Sequence, residues 1–171
     1  TDDPIIYSTT YDTGGGTQPS GDISGMYVLC EGNMGSNKCT LDFLDLTKAQ
    51  YHRNIYSEMN PETVKELGDV GNDIKVYGSR LWMVINCSNK VEVADVATAK
   101  RIGQVDIPNC RYLAFHDGYA YVSSFAGPVM GADSQIGLVY KVDTLSLQIV
   151  GRVEVGYHPE EMAVLDGTIY A

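Results

Sequence analysis

Residues 113–123 read LAFHDGYAYVS. An apolar triplet, an Asp-Gly turn and an aromatic-centred alternating run make a tight β-hairpin. The same grammar returns at 74–84 (IKVYGSRLWMV) and 162–171 (MAVLDGTIYA), and in shortened form at 23–28 (ISGMYV). Its aromatic positions are Tyr27, Trp82, Tyr121 and Tyr170, which are 55, 39 and 49 residues apart. Recurrence at that interval marks them as packing residues of a repeated unit rather than ligand contacts.

A second motif interleaves with the first. FLDLTKAQ at 43–50, VADVATAK at 93–100 and KVDTLSLQ at 141–148 share an Asp at 45, 95 and 143. Asp opens turns because its carboxylate accepts hydrogen bonds from the backbone just ahead of it. Each copy therefore predicts a strand, an Asp-led turn and a further strand, such as Ile102–Ile107 or Val150–Val155. Together the two motifs make units of four short antiparallel strands, one every 40 to 50 residues or so, the pattern of a β-propeller blade. The expected fold is all-β, with blades at about 23–59, 73–107 and 113–155 and a fourth starting at 162. A lone blade cannot bury its faces, and propellers close with about four to eight blades. About three and a half blades would leave unpaired edges. The chain thus reads as the N-terminal part of a longer or processed propeller of seven blades.

Composition agrees with a sheet protein rich in turns: 12 Tyr and 18 Gly stand beside 3 Phe and 1 Trp. The formal net charge of −10 excludes a general nucleic-acid binder and docking by a polybasic patch on anionic lipid. No apolar run reaches the length of a membrane helix. The chain starts at Thr1, and residues 1–22, rich in Thr, Ser, Gly, Asp and Pro, read as a linker or tail of a tethered or exported protein, with Pro4–Tyr7 able to form a short edge strand. Residues 60–68 carry helix start and stop signals (Asn60, Pro61, Glu62, Gly68) and predict a short helix or a turn between the first two blades. Cys30, Cys39, Cys87 and Cys110 fit no metal or redox spacing; they allow two disulfides or act as small buried hydrophobes.

The stretches Tyr119–Val122, Val142-Asp143 and Gly151–Val164 (GRVEVGYHPEEMAV) resemble the YVTN, or YncE-like, propeller repeat, with its Val-Gly-x-x-Pro junction between blades. Leu67–Asp73 (LGDVGND) resembles exported propeller lipoproteins of Bacteroidetes, most closely the surface propellers that capture vitamin B12 for an outer-membrane cobalamin transporter. The resemblance spans residues 23–171. It implies a surface-exposed outer-membrane lipoprotein (periplasmic in the alternative), held to the membrane only through an N-terminal lipid anchor. It further implies a corrinoid ligand and a TonB-dependent cobalamin transporter as partner.

Catalytic signatures are absent. No nucleophile elbow or phosphate-binding loop occurs. His158 and Glu161 have a spacing known at metal sites, but Pro159 lies between them and no third ligand is visible, so no metal is expected. His52 and His116 read as exposed. Asp42 and Asp45 could form an acid–base pair but read better as a solvated edge. A non-catalytic binding protein without a cofactor is the expectation. Its rivals are a scaffold for a protein or glycan and a propeller hydrolase or lyase.

In a propeller, the loops joining strands two and three share one face with those joining successive blades, and ligands sit there around the channel. Those loops carry Asn72, Asn86, Arg111, Tyr112, Phe125, Met130, Tyr157 and His158, together with Asn33, Met34 and Asn89. Aromatic and Met side chains suit the apolar rim of a corrin, and Asn and Arg suit its amides. The loop Phe125–Gly131 (FAGPVMG) stands out, since its apolar side chains occupy a place that should be polar.

Overall fold

The computed structural model describes residues 8–10, 23–63 and 66–171. Three four-stranded sheets and a two-stranded one follow each other along the chain. The first holds β1 (Ser8–Thr10), β2 (Gly25–Cys30), β3 (Thr40–Asp45) and β4 (Gln50–His52). The second runs through β5 (Gly71–Tyr77), β6 (Arg80–Ile85), β7 (Lys90–Asp95) and β8 (Arg101–Asp106). The third runs through β9 (Cys110–His116), β10 (Tyr119–Ser124), β11 (Leu138–Asp143) and β12 (Ile149–Glu154), and β13 (Ala163–Leu165) pairs with β14 (Thr168–Tyr170). The second and third sheets are simple meanders in which each strand pairs antiparallel with the next.

The Asp-led turns form as the repeat requires. Asp45 Oδ1 accepts from the backbone N–H of Thr47 and Lys48 at 2.9 and 3.1 Å. Asp95 does the same for Ala97 and Thr98, and Asp143 for Leu145 and Ser146. These bonds hold the Asp45 and Asp143 carboxyls below their ordinary range. The largest cause is the Thr47 hydroxyl for Asp45 and the Ser146 N–H for Asp143. In the hairpins, Asp117 and Gly118 take φ of 48° and 81°, and Asp166 and Gly167 take 48° and 73°. Positive φ at both central residues is what a tight hairpin turn asks for, and Asp-Gly supplies it at low cost.

Aligning the Asp turns shows what the shortened first copy means. Gly25 pairs with Asp45 as Arg80 pairs with Asp95 and Tyr119 with Asp143. So β2, β3 and β4 are the second, third and fourth strands of their blade, and among the described residues no strand pairs with the inner edge of β2. Instead β1 adds outside β4, with Ser8 opposite His52. The linker expected over residues 1–22 thus includes β1, which covers the outer edge of β4. The edge strand expected at Pro4–Tyr7 lies outside the described residues.

The blades stack through one apolar layer per interface. Cys39, Leu41, Tyr56, Leu67, Leu81, Met83 and Ile85 fill the first. Trp82, Val84, Val91, Val93, Leu113, Val122 and Val142 fill the second. Gly71 shows how close the sheets come: a Cβ there would stand 2.7 Å from Cys39 Sγ and 2.8 Å from Leu29 Cγ, so no side chain fits. Trp82 is fully buried, with its ring edge-on to Phe115 at 5.5 Å. Tyr27 and Tyr121 are half-buried, whereas Tyr170 is 56% exposed.

The short helix falls elsewhere than its signals predict. α1 spans Ile55–Met59, and residues 61–62 form a turn. Pro61 pushes the residue before it out of the helical region, and Asn60 duly ends the helix with φ −128°. Asn60 is buried and ties the segment down, with Nδ2 donating to Tyr56 O and Ala99 O. Tyr56 reaches the next blade, where its hydroxyl donates to buried Glu92 at 2.7 Å. Glu92 also pairs with Arg101 at 2.6 Å and Lys90 at 2.9 Å, so this buried charge is compensated. Asp42 is not a solvated edge. It is buried and accepts from Tyr51 Oη and Asn54 N, both at 2.7 Å, while Asp45 is committed to its turn, so the two form no acid–base pair. His52 is half-buried beside Phe43, and His116 is exposed. All four cysteines are free thiols.

Candidate functional site

Hairpin turns and Asp-led turns occupy one end of the blades. The opposite end gathers the loops 31–39, 86–89 and 125–137 and the inter-blade connections 107–109 and 155–162. Each connection turns sharply just before its inner strand, with φ of 61° at Val70, 41° at Asn109 and 55° at His158. These three positions are equivalent when the hairpins are aligned. Asn109 O accepts from Phe125 N at 3.0 Å as Val70 O accepts from Asn86 N at 2.8 Å. Two residues further on, the same alignment places Asn72, Arg111 and Glu160 at one position of successive blades. Each reaches its successor: Asn72 Nδ2 donates to Arg111 O, and Arg111 Nε and Nη2 donate to the two oxygens of Glu160, both at 3.1 Å.

Arg111 is the hub of a compact cluster. Its guanidinium carbon lies 4.7 Å from the centroid of Phe125 and 5.8 Å from that of Tyr112. The His158 ring sits 4.8 Å from that of Phe125, and Tyr157 meets His158 nearly edge-on at 6.3 Å. The His158 Nε2 atom is buried and has no hydrogen-bond partner among the described residues. Tyr157 stands 64% exposed beside this cluster, and Met34 and Met130 project further still, at 78% and 83%. A cleft of about 560 Å³ opens here, lined among others by Met34, Asn86, Pro108, Arg111, Phe125 and Val129. A second of about 660 Å³ adjoins it beneath Tyr157 and Ile136.

The structure thus unites Arg111, Tyr112, Phe125, Tyr157 and His158, with Met130 at the rim. It alters the reading of Phe125, Asn86 and Asn72. Phe125 is not exposed loop: it follows β10 directly, its N–H is bound to Asn109 O, and its ring is 6% exposed beneath Arg111 and His158. Asn86 is buried, and its Nδ2 donates to Asn109 Oδ1 at 2.7 Å and Cys110 O at 2.8 Å. Asn72 likewise bonds a backbone carbonyl. Both amides therefore tie one blade to the next. Glu160 is the residue of this cluster that the sequence did not single out. Its partner lies 49 positions away, and only the blade alignment brings the two together.

Two further carboxylates at this end are engaged. Asp69 Oδ2 accepts from Gly35 N at 2.8 Å, and Asp73 Oδ2 accepts from Leu113 N at 2.8 Å and from Lys75 Nζ at 2.7 Å. Among the described residues, no three His, Cys, Asp or Glu side chains are grouped to hold a metal ion. A cleft of about 810 Å³ lies at the opposite end between the first two blades, along Tyr27, Phe43 and Ile74. It contains no comparable polar cluster.

Stacked four-stranded meanders with loops gathered at one end define the chain as β-propeller structure. It belongs to the DUF5074 family, described as a domain of unknown function, whose model matches residues 24–170. No curated protein matches the chain. Among solved structures it is similar to the dihydro-heme d1 dehydrogenase NirN in complex with DHE, with a TM-score of 0.53 and 14% identity over 78% of this chain. The computationally designed protein Ika8 aligns over 84% of this chain with a TM-score of 0.45 and 10% identity. The chain spans 28% of the length of the first and 51% of the second.

Proposed function

We propose that the protein is a non-catalytic, exported binding protein whose loop end captures a large amphipathic macrocycle of the corrinoid type. The observation that carries this is the Arg111–Phe125–His158–Tyr157 cluster: aromatic faces and one fixed guanidinium beside two clefts that share Ala126, with Arg111 and Phe125 lining one and Tyr157 the other. A flat ring with an apolar edge and polar side arms asks for that combination. The solved structure named above is a dihydro-heme d1 dehydrogenase in complex with DHE, which supports a macrocycle as the class of ligand. A binding role fits the engagement of Asp69, Asp73 and Glu160 in structural bonds. Delivery to an outer-membrane TonB-dependent cobalamin transporter, from a lipid-anchored position on the cell surface, follows from the sequence resemblance.

The test is calorimetric titration of the complete protein with cyanocobalamin. Tyr157 is the clean probe, being exposed and remote from the core. Loss of one aromatic contact is worth roughly 1.5–3 kcal/mol, so Tyr157→Ala should weaken binding about ten- to a hundredfold at an unchanged melting temperature. Parent protein that takes up no corrinoid overturns the proposal.

A further inference from the structure

We infer that Arg111 and Glu160 form a neutral recognition pair that selects macrocycles fringed with uncharged amides over those fringed with carboxylates; this rests on the reading of the loop end as a corrinoid-binding face. The pair is fixed from both sides. Both oxygens of Glu160 face Nε and Nη2 of Arg111 at 3.1 Å, and the guanidinium lies over Phe125 at 4.7 Å. Planarity and the bidentate fork make this geometry costly to distort. The Glu160 backbone is held as well, because its carbonyl accepts from Ser123 Oγ at 2.8 Å, and the same hydroxyl accepts from Tyr112 N.

What the pair can still offer decides the ligand chemistry. A guanidinium has five N–H donors, of which Glu160 takes two. The Glu160 side chain is 47% exposed and keeps acceptor lone pairs free, and Arg111 lines the cleft itself. A primary amide answers both, its carbonyl accepting from Arg111 and its NH2 donating to Glu160. A carboxylate answers only the first and meets the Glu160 charge with no donor of its own. Arg111 alone would attract carboxylates, and Glu160 cancels that attraction. The net charge of −10 on the chain acts in the same direction at longer range.

The experiment uses the complete protein and two corrinoids of matched ring, dicyanocobinamide with its amide arms and dicyanocobyrinic acid with carboxylic acid arms, titrated at neutral pH and low salt. The parent should prefer the amide-armed probe by at least about fivefold, the size of a part-exposed charge contact. Glu160→Gln should melt like the parent and narrow that preference, chiefly by strengthening binding of the acid. Arg111→Gln, which leaves Glu160 uncompensated, should widen it. Equal affinities in the parent, or an unchanged preference in Glu160→Gln, overturn the inference and leave the corrinoid reading standing. Failure of the parent to bind either probe overturns both.

Discussion

At the hairpin end of the blades, successive sheets solve one problem with one set of residues. Asp45, Asp95 and Asp143 close the same turn, and the residue after each donates its N–H to the start of the neighbouring strand, at Ser24, Ser79 and Gly118. Ties between blades also cluster there. Tyr27 Oη donates to Val96 O, Tyr77 Oη accepts from Gly118 N, and Arg80 Nη1 donates to Thr144 O, at 2.6 to 2.8 Å. At the loop end, equivalent positions differ from blade to blade: Asn72, Arg111 and Glu160, or Val70, Asn109 and His158. Repetition is what stacking identical units demands. Departure from it, with the backbone turn kept, gives the loop end a different set of side chains in each blade.

The sharpest way to break this division is to remove residues that stacking needs. Trp82→Ala should cost roughly 3–5 kcal/mol in denaturant unfolding of the complete protein, because its fully buried ring fills the layer between two blades. A Trp82→Ala protein of parental stability that had lost only ligand would reverse the assignment. Phe125 comes next and straddles the two categories. Its ring is buried, so Phe125→Ala should lower both the melting temperature and corrinoid affinity, whereas Tyr157→Ala lowers affinity alone. If the two variants behaved alike in thermal melts, the buried and exposed parts of the cluster would not be distinct.

The Asp turns make a smaller, pH-dependent prediction. The folded carboxyls of Asp45 and Asp143 titrate below their ordinary value of 3.8. Their stabilising effect is therefore present above that value and is lost as pH falls through the lower folded one. Asn at either position keeps an acceptor for the turn but cannot titrate. The Asp45→Asn, Asp143→Asn double variant should melt somewhat below the parent at neutral pH, converge with it as the parent's carboxylates protonate, and so show a flatter decline in melting temperature between about pH 5 and pH 2. The smallest effect is chemical. Burial pushes the Cys39 and Cys110 thiols up to about 12, whereas Cys87 is exposed at the loop end. Iodoacetamide mapped by mass spectrometry should label Cys87 first, and bound corrinoid should slow that labelling. Prior labelling of Cys110 would contradict its burial.

Local chemistry with a fixed period was legible in advance. Hairpin composition, the Asp turns and the strands of the second and third blades need only neighbours a few residues apart, and backbone geometry enforces them wherever they recur. The helix signals at Asn60 and Pro61 misplaced the element because the pull on it is not local: Tyr56 is drawn into the next blade by Glu92, and Asn60 by Ala99. The same holds at the loop end. Sequence alone determined which loops share a face, and so placed Arg111, Phe125, Tyr157 and His158 together. Only the tertiary structure decided that Phe125 faces inward, that Asn72 and Asn86 fasten backbone, and that Glu160 completes Arg111. The reason is physical: a side chain's partners across a blade interface depend on stacking distance and rotation between sheets, which no residue's immediate neighbours encode.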